Sequence, residues 1–198
     1  MELSVTFMSY VLGAIGVLLY LVAPFLDENK KAFYARLLSQ FFLGLMFFYI
    51  GCLAGASYYA VLLLSGLLQK QIEHNKIVSI VYGIVGMVVT LLLNNTGISG
   101  IVLAISLVLV FLPIAENKML TTTSYIDILT SLALAYYSLS VKAWVSLGFS
   151  VVLLLLAIAG LVSNIQLTRA GGLEAAKLEN DAYMNKKKAN KKQRKIGR

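Results

Sequence analysis

Asp127 is the residue best suited to chemistry in this chain. It is the one acid that falls within an apolar span, about one turn from the inner end of the sixth apolar run. A charged group near the centre of a bilayer costs at least about 2.5–3.5 kcal/mol, less at shallow depth, so an embedded acid is a site candidate by default. The alternative is a carboxylate near a helix start, favoured by the positive end of the helix dipole and by nearby water. Ser39 and Gln40 are expected with Asp127 at the inner mouth of a central path. Tyr49, Ser65, Ser131, Tyr136 and Tyr137, together with Ser106 and Ser138, are the remaining groups able to hydrogen-bond a small polar solute along it. Each also has a plainer use as an interhelical bond, worth roughly 0.6 kcal/mol.

Other chemistries lack their residues. His74 is the sole histidine and sits in a polar break beside Glu73 and Lys76, so neither a metal site nor a Ser-His-Asp set is expected. Cys52 is the sole cysteine, which excludes an intramolecular disulfide and suits a small apolar packing residue. No glycine-rich phosphate loop of the Walker type occurs. The expectation is a protein without a catalytic constellation, metal or cofactor.

The elements that must position these groups follow from the composition. Hydrophobic residues make up 59% and charged residues 13%, with mean hydropathy +0.82. Soluble domains carry about 25% charge, so the deficit points to a membrane protein. Residues 37–69 and 77–115 hold no Asp, Glu, Lys, Arg or His. Each stretch exceeds the roughly 20 residues of one crossing and reads as a helical pair. The spans are expected near 4–26, 33–53, 57–68, 77–93, 98–114, 124–140 and 143–166. Ala54-Gly55-Ala56-Ser57 and Asn94-Asn95-Thr96-Gly97 are expected as tight turns. Pro24 and Pro113 lie near the ends of the first and fifth spans, and Trp144 at the outer end of the seventh. The third span is short enough that full crossing is open. The N-terminus lacks a basic flank, so the first run reads as a retained span rather than a signal peptide.

Charge orients the spans. Sixteen of the seventeen Lys and Arg residues fall on one side under this division, Lys142 alone on the other. Basic residues are retained in cytoplasmic loops, which puts the N-terminus outside and the C-terminus inside a bacterial inner membrane. The formal charge of +8 is concentrated after residue 168, where Lys186-Lys187-Lys188 and Lys191-Lys192-Gln193-Arg194-Lys195 are densest. Such a tail is attracted to anionic lipid headgroups at about 1 kcal/mol per basic residue. RNA or ribosome contact is the alternative. With Tyr183 its one aromatic residue, the tail offers no stacking platform, and no nucleic-acid partner is expected.

An internal repeat is also expected. Aligning Glu28-Asn29-Lys30 with Glu116-Asn117-Lys118 gives an offset of 88 residues (116 − 28), which pairs Tyr49 with Tyr137 and Ser39 with Asp127. The fourth span then has no counterpart. A three-helix unit (1–70), a linker helix (71–97), a second three-helix unit (98–167) and a basic tail (168–198) follow. The odd linker restores parallel orientation, giving an all-α, seven-span, parallel 3+1+3 plan. Gly83 and Gly86 lie on one face of the linker and allow close helix approach, either inside the bundle or between protomers of a homo-oligomer.

This layout resembles that of the SWEET sugar facilitators and the PnuC vitamin transporters, whose binding signatures are not present here. The stretch 25–69, with its acidic-basic loop, apolar span, Gly51 and Ala54-Gly55-Ala56-Ser57, resembles the YgjV-type family of small bacterial inner-membrane proteins. That resemblance implies fold and location, not an activity. The expected function is a facilitator or secondary transporter of a small polar metabolite. A non-catalytic scaffold or assembly partner is the alternative. A transporter should place its scarce polar groups between the halves, and a scaffold should fill that space with Leu, Val and Phe.

Overall fold

A computed structural model describes residues 2–26, 29–68, 72, 76–116 and 120–169. Among these the regular structure is helical and no strand occurs. The helices are α1 (Glu2–Val22), closed by the 3-10 turn Ala23–Phe25, α2 (Asn29–Tyr49), α3 (Leu53–Leu67), α4 (Lys76–Leu92), α5 (Ile98–Glu116), α6 (Leu120–Ser140) and α7 (Trp144–Arg169). His74, Glu73, Asp27, Glu28, Lys118 and the basic tail from residue 170 lie outside the described residues. The chain divides into two compact units, Met1–Ile158 and Ala159–Arg198.

Three stretches are long and apolar enough to cross a membrane: Thr6–Phe25, Lys30–Tyr49 and Trp144–Gln166. Leu53–Leu67, Ile77–Leu92 and Ile98–Phe111 are apolar but shorter. The 15 residues of α3 rise only about 22 Å against a hydrocarbon core of about 30 Å. Beyond α3 the i−4 bonding is carried on by Leu68 to Leu64 and Ile72 to Leu68. α6 has the length, 21 residues, but carries Ser124, Asp127, Thr130 and Ser131. The exterior is apolar: Phe7, Leu18, Ile77, Leu92 and Ile98 are all more than half exposed. Soluble proteins rarely leave so much hydrocarbon uncovered. The long apolar helices and this surface suit a membrane-associated protein.

The turn between α2 and α3 is not where composition suggested. Ala54-Gly55-Ala56-Ser57 forms the first turn of α3, and the reversal occurs at Ile50–Cys52. Gly51 adopts φ +75° there. Its N–H donates to the Phe48 carbonyl and the Cys52 N–H to that of Phe47, the paired bonds of a Schellman ending. The small residues of the next turn serve packing instead. A Cβ on Gly55 would fall 2.6 Å from the Phe47 ring and 2.9 Å from that of Tyr137.

The α6–α7 turn repeats these two paired bonds. Lys142 has φ 58°, its N–H donates to Leu139, and the Ala143 N–H donates to Ser138. Tyr49 and Ser140 end α2 and α6, and Leu53 and Trp144 start α3 and α7. Each pair is 91 residues apart (140 − 49, 144 − 53). Burial follows the same register. Leu43, Met46 and Phe47 are buried on α2, and Leu134, Tyr137 and Ser138 on α6. Tyr34, Arg36, Leu38 and Phe41 are exposed on α2, as are Tyr125, Asp127, Leu129 and Leu132 on α6. The registration is therefore 91 rather than 88, and Met46, not Tyr49, corresponds to Tyr137.

The α2–α3, α4–α5 and α6–α7 turns meet at one end of the bundle. Asn95 donates to the Gly51 carbonyl (2.6 Å) and accepts from the Leu53 N–H (3.1 Å). The Gly55 N–H donates to the Tyr137 hydroxyl (2.8 Å). A Cβ on Gly13 of α1 would meet both Met46 and Val145. Gly83 lies against Phe111, and Gly86 against Val61 and Leu107. The glycine face of α4 thus packs inside the chain on α3 and α5. Ser79 donates to the Phe111 carbonyl (2.9 Å) and Tyr82 to that of Val61 (3.2 Å), fixing the same contacts.

Candidate functional site

Two charged residues, Arg36 and Asp127, lie toward the end opposite these turns. Arg36 and Asp127 each lie 13 residues before the end of their helices (49 − 36 and 140 − 127), about 20 Å along the axis. On α2, Arg36 shares a stripe with Leu43 and Phe47 at i+7 and i+11, both almost fully buried. On α6, Asp127 shares a stripe with Leu134 and Ser138 in the same way. Both charged residues are exposed. They therefore sit on core-facing stripes at a level where the bundle is accessible.

Residues three and four positions further share each face. On α2 these are Ser39 and Gln40, and on α6 Thr130 and Ser131, again 91 apart (130 − 39, 131 − 40). Tyr20, near the end of α1, lies within electrostatic range of both Arg36 and Asp127. It also packs edge-on against Phe149 at 5.0 Å between ring centres.

Deeper in, several polar atoms are buried without a hydrogen-bond partner: Ser39 Oγ, Gln40 Oε1, the Tyr59 hydroxyl and Thr90 Oγ1. A buried unsatisfied group costs about 1–3 kcal/mol. Tyr59 stacks on Phe47 at 5.7 Å and meets Tyr58 edge-on at 5.4 Å. Its hydroxyl approaches Ser146 without completing a bond, and Tyr58 lies beside Ser106. Ser146 instead accepts from Ser138 at 2.8 Å.

The residues singled out from sequence divide accordingly. Ser39, Gln40, Asp127 and Ser131 fall on the two core-facing stripes. Tyr49 and Tyr136 lie on the exterior, each nearly half exposed. Ser65 donates to the Leu62 carbonyl of its own helix (2.7 Å). Tyr137 is buried at the far end, where it caps α3. Arg36 and Tyr20 were missed. The sequence marks Arg36 only as a basic residue near a helix end, although its spacing from Leu43 and Phe47 is a visible sign of a core-facing position.

Cys52 lies at that far end, in the turn between α2 and α3. Burial pushes its thiol above the ordinary range, partly offset by the neighbouring Tyr137 hydroxyl. Among the described residues no three His, Cys, Asp or Glu side chains cluster as metal ligands would. No protein family, curated protein or solved structure matches the chain.

Proposed function

We propose that the chain is an integral membrane protein of seven helices in which α1–α3 and α5–α7 are two parallel copies of one unit and α4 is the linker. The 91-residue correspondence of helix ends, turn bonds and burial supports this plan. In this reading the N-terminus faces out, and the Arg36–Asp127 end and the basic tail face the cytoplasm of a bacterial inner membrane. The resemblance of 25–69 to the YgjV-type family points to the same location. A reporter fused after Arg198 is active only on the cytoplasmic side if the orientation is right.

Within that architecture the protein acts as a facilitator or secondary transporter of a small polar metabolite. The observation that carries this reading is the pair of polar stripes on α2 and α6, together with the buried, unpartnered Ser39 Oγ and Gln40 Oε1 on the first. Apolar packing alone has no use for such groups, and a hydrated path does. The test is thermal unfolding of the purified protein against sugars, nucleosides, vitamins and amino acids. A ligand at about 100 times its Kd adds roughly 2.7 kcal/mol of stability.

A scaffold role has its own supporting observation. Leu43, Phe47, Leu103, Leu107 and Phe111 close the interior tightly around the glycine contacts. The absence of any shift across the panel would favour it.

A further inference from the structure

The height of the apolar belt is readable from where polar side chains resume along the helices. Arg36 and Asp127 are exposed, each 13 residues before the end of its helix (49 − 36 and 140 − 127). Tyr34 and Tyr125 precede them by two residues, are themselves 91 apart (125 − 34), and are more than half exposed. Two residues turn a helix by about 200°, so polar groups resume on both sides of each helix at one level. A water-filled mouth accounts for the charges but not for the tyrosines, whose phenols suit the lipid–water boundary. At the other end Tyr49 and Trp144 are exposed beside the turns that hold Gly51 and Lys142. Tyr34 and Tyr49 are 15 residues apart (49 − 34), about 22 Å of axial rise. From Asp127 to Ser140 the rise is about 20 Å. Between these limits Leu38, Phe41 and Phe48 on α2 and Leu129, Leu132 and Leu139 on α6 are exposed. The 15 residues of α3 and the 17 of α4 rise about 22 and 25 Å. Tilt only lowers these heights. Arg36 can snorkel along its stem, but Asp127 has a single methylene and stays at its own level.

We propose that the lipid partner of this protein is a phospholipid with short acyl chains, and that bilayers of longer chains thin around α2, α3, α4 and α6. The proposal rests on the reading of all seven helices as spans and adds the lipid that fits them. Four helices offer an apolar height of about 20–25 Å where an ordinary hydrocarbon core measures about 30 Å. A short span is met by thinning of the bilayer, and each ångström of mismatch carries its own cost. In a mixed membrane the protein therefore gathers short chains around itself. α1 and α7 carry longer apolar runs, of 20 and 23 residues. A long helix fits a thin bilayer by tilting, whereas a short one cannot stretch. The rival arrangement puts the boundary at exposed Lys30, 19 residues before Tyr49 (49 − 30), a rise of about 28 Å. That arrangement fits a bilayer of ordinary thickness and leaves Asp127 beneath the headgroups.

The test uses the full chain reconstituted in phosphatidylcholine vesicles with monounsaturated chains of fourteen to twenty-two carbons. Trp144 is the sole tryptophan and is exposed, so its quenching by brominated lipid reports which chains surround the protein. Mixtures of brominated eighteen-carbon lipid with each unbrominated lipid give a relative binding constant for each length. Fourteen-carbon chains should bind about twofold or more better than twenty-two-carbon chains, with the optimum below eighteen carbons. The fourfold variant Tyr34→Leu, Arg36→Leu, Tyr125→Leu, Asp127→Leu removes the polar level on both helices and should move the optimum to longer chains. Its helix content by circular dichroism in the same vesicles shows whether it is folded, and the series with the unaltered chain decides alone if it is not. An optimum at eighteen carbons or beyond, or no dependence on length, overturns the proposal and leaves the membrane reading standing. A short optimum that the folded variant keeps also overturns it, because the boundary then lies elsewhere. If the protein neither floats with vesicles nor is quenched by any brominated lipid, the membrane reading fails as well.

Discussion

Replacing Tyr137 with Phe isolates one hydrogen bond that joins residues 82 positions apart in the chain. The start of α3 has an unusual need for it. The residue preceding the helix, Cys52, makes no side-chain cap bond. The first-turn N–H groups of any helix lack intrahelical partners. Here Leu53 donates to Asn95 and Gly55 donates to Tyr137. The Tyr137 bond is buried, so Tyr137→Phe leaves a donor with neither protein nor water, at about 1–3 kcal/mol. Asn95→Ala removes two bonds, to Leu53 and Gly51, but both are exposed. Water replaces them, so each lies at the low end of the usual net contribution, and the two together cost about 1 kcal/mol at most. Tyr137→Phe should therefore cost more than Asn95→Ala, though it deletes fewer bonds. For a chain of 150–250 residues each kcal/mol lowers Tm by roughly 2–4 °C, so thermal unfolding in detergent resolves the order. A Tyr137→Phe protein with unchanged Tm would refute the capping role. A larger loss from Asn95→Ala would mean that water does not reach the 94–97 turn, and the ranking would fail for that reason.

Gly51 and Gly55 separate conformational from steric demand. Gly51→Ala meets no neighbour but must hold φ +75°, at about 1–2 kcal/mol. Gly55→Ala collides with Phe47 and Tyr137 and disturbs the cap as well, so it should be the more destabilising in a chemical unfolding series. Lys142 holds the same left-handed conformation without being glycine, so Lys142→Gly should keep or raise stability by up to about 1 kcal/mol, and Lys142→Val should lower it. Cys52 should react slowly with maleimide at neutral pH, with a rate still climbing above the ordinary thiol range. Its folded-state shift is upward, so its contribution to stability is complete below the unfolded thiol's pKa and is lost as pH rises through the folded value. Rapid labelling at neutral pH would contradict its burial.

Much of the fold was readable because apolar length and turn chemistry are local. The 94–97 turn and the limits of α4 and α5 follow from uncharged runs broken by Asn-Asn-Thr-Gly, and the structure differs there by one or two residues. Ala54-Gly55-Ala56-Ser57 misled because small residues signal both turns and close packing. Only the position of Gly51, with its positive φ, separates the two uses. Its counterpart at the second turn is Lys142, a residue with no sequence mark of a left-handed conformation. The two turns therefore share no sequence signature, and the tripeptide Glu-Asn-Lys, repeated at 28–30 and 116–118, points to 88 instead.

The difference between 88 and 91 residues is small in sequence and decisive for the site. Three residues are close to one helical turn, so a slip of that size rotates a helix by only about 60° and leaves its apolar stripe nearly matched. Hydrophobic periodicity cannot detect it. The slip does change which residues correspond. At 88 Asp127 meets Ser39, and the acid seems to stand alone among hydroxyls. At 91 it corresponds to Arg36, and the two equivalent positions carry opposite charges. Arg36 escaped notice because counting basic residues near helix ends asks which side of the membrane they favour, never which face of the helix they occupy. Its spacing of seven and eleven residues from Leu43 and Phe47 answers the second question and places it on the face of α2 that is buried further along the helix.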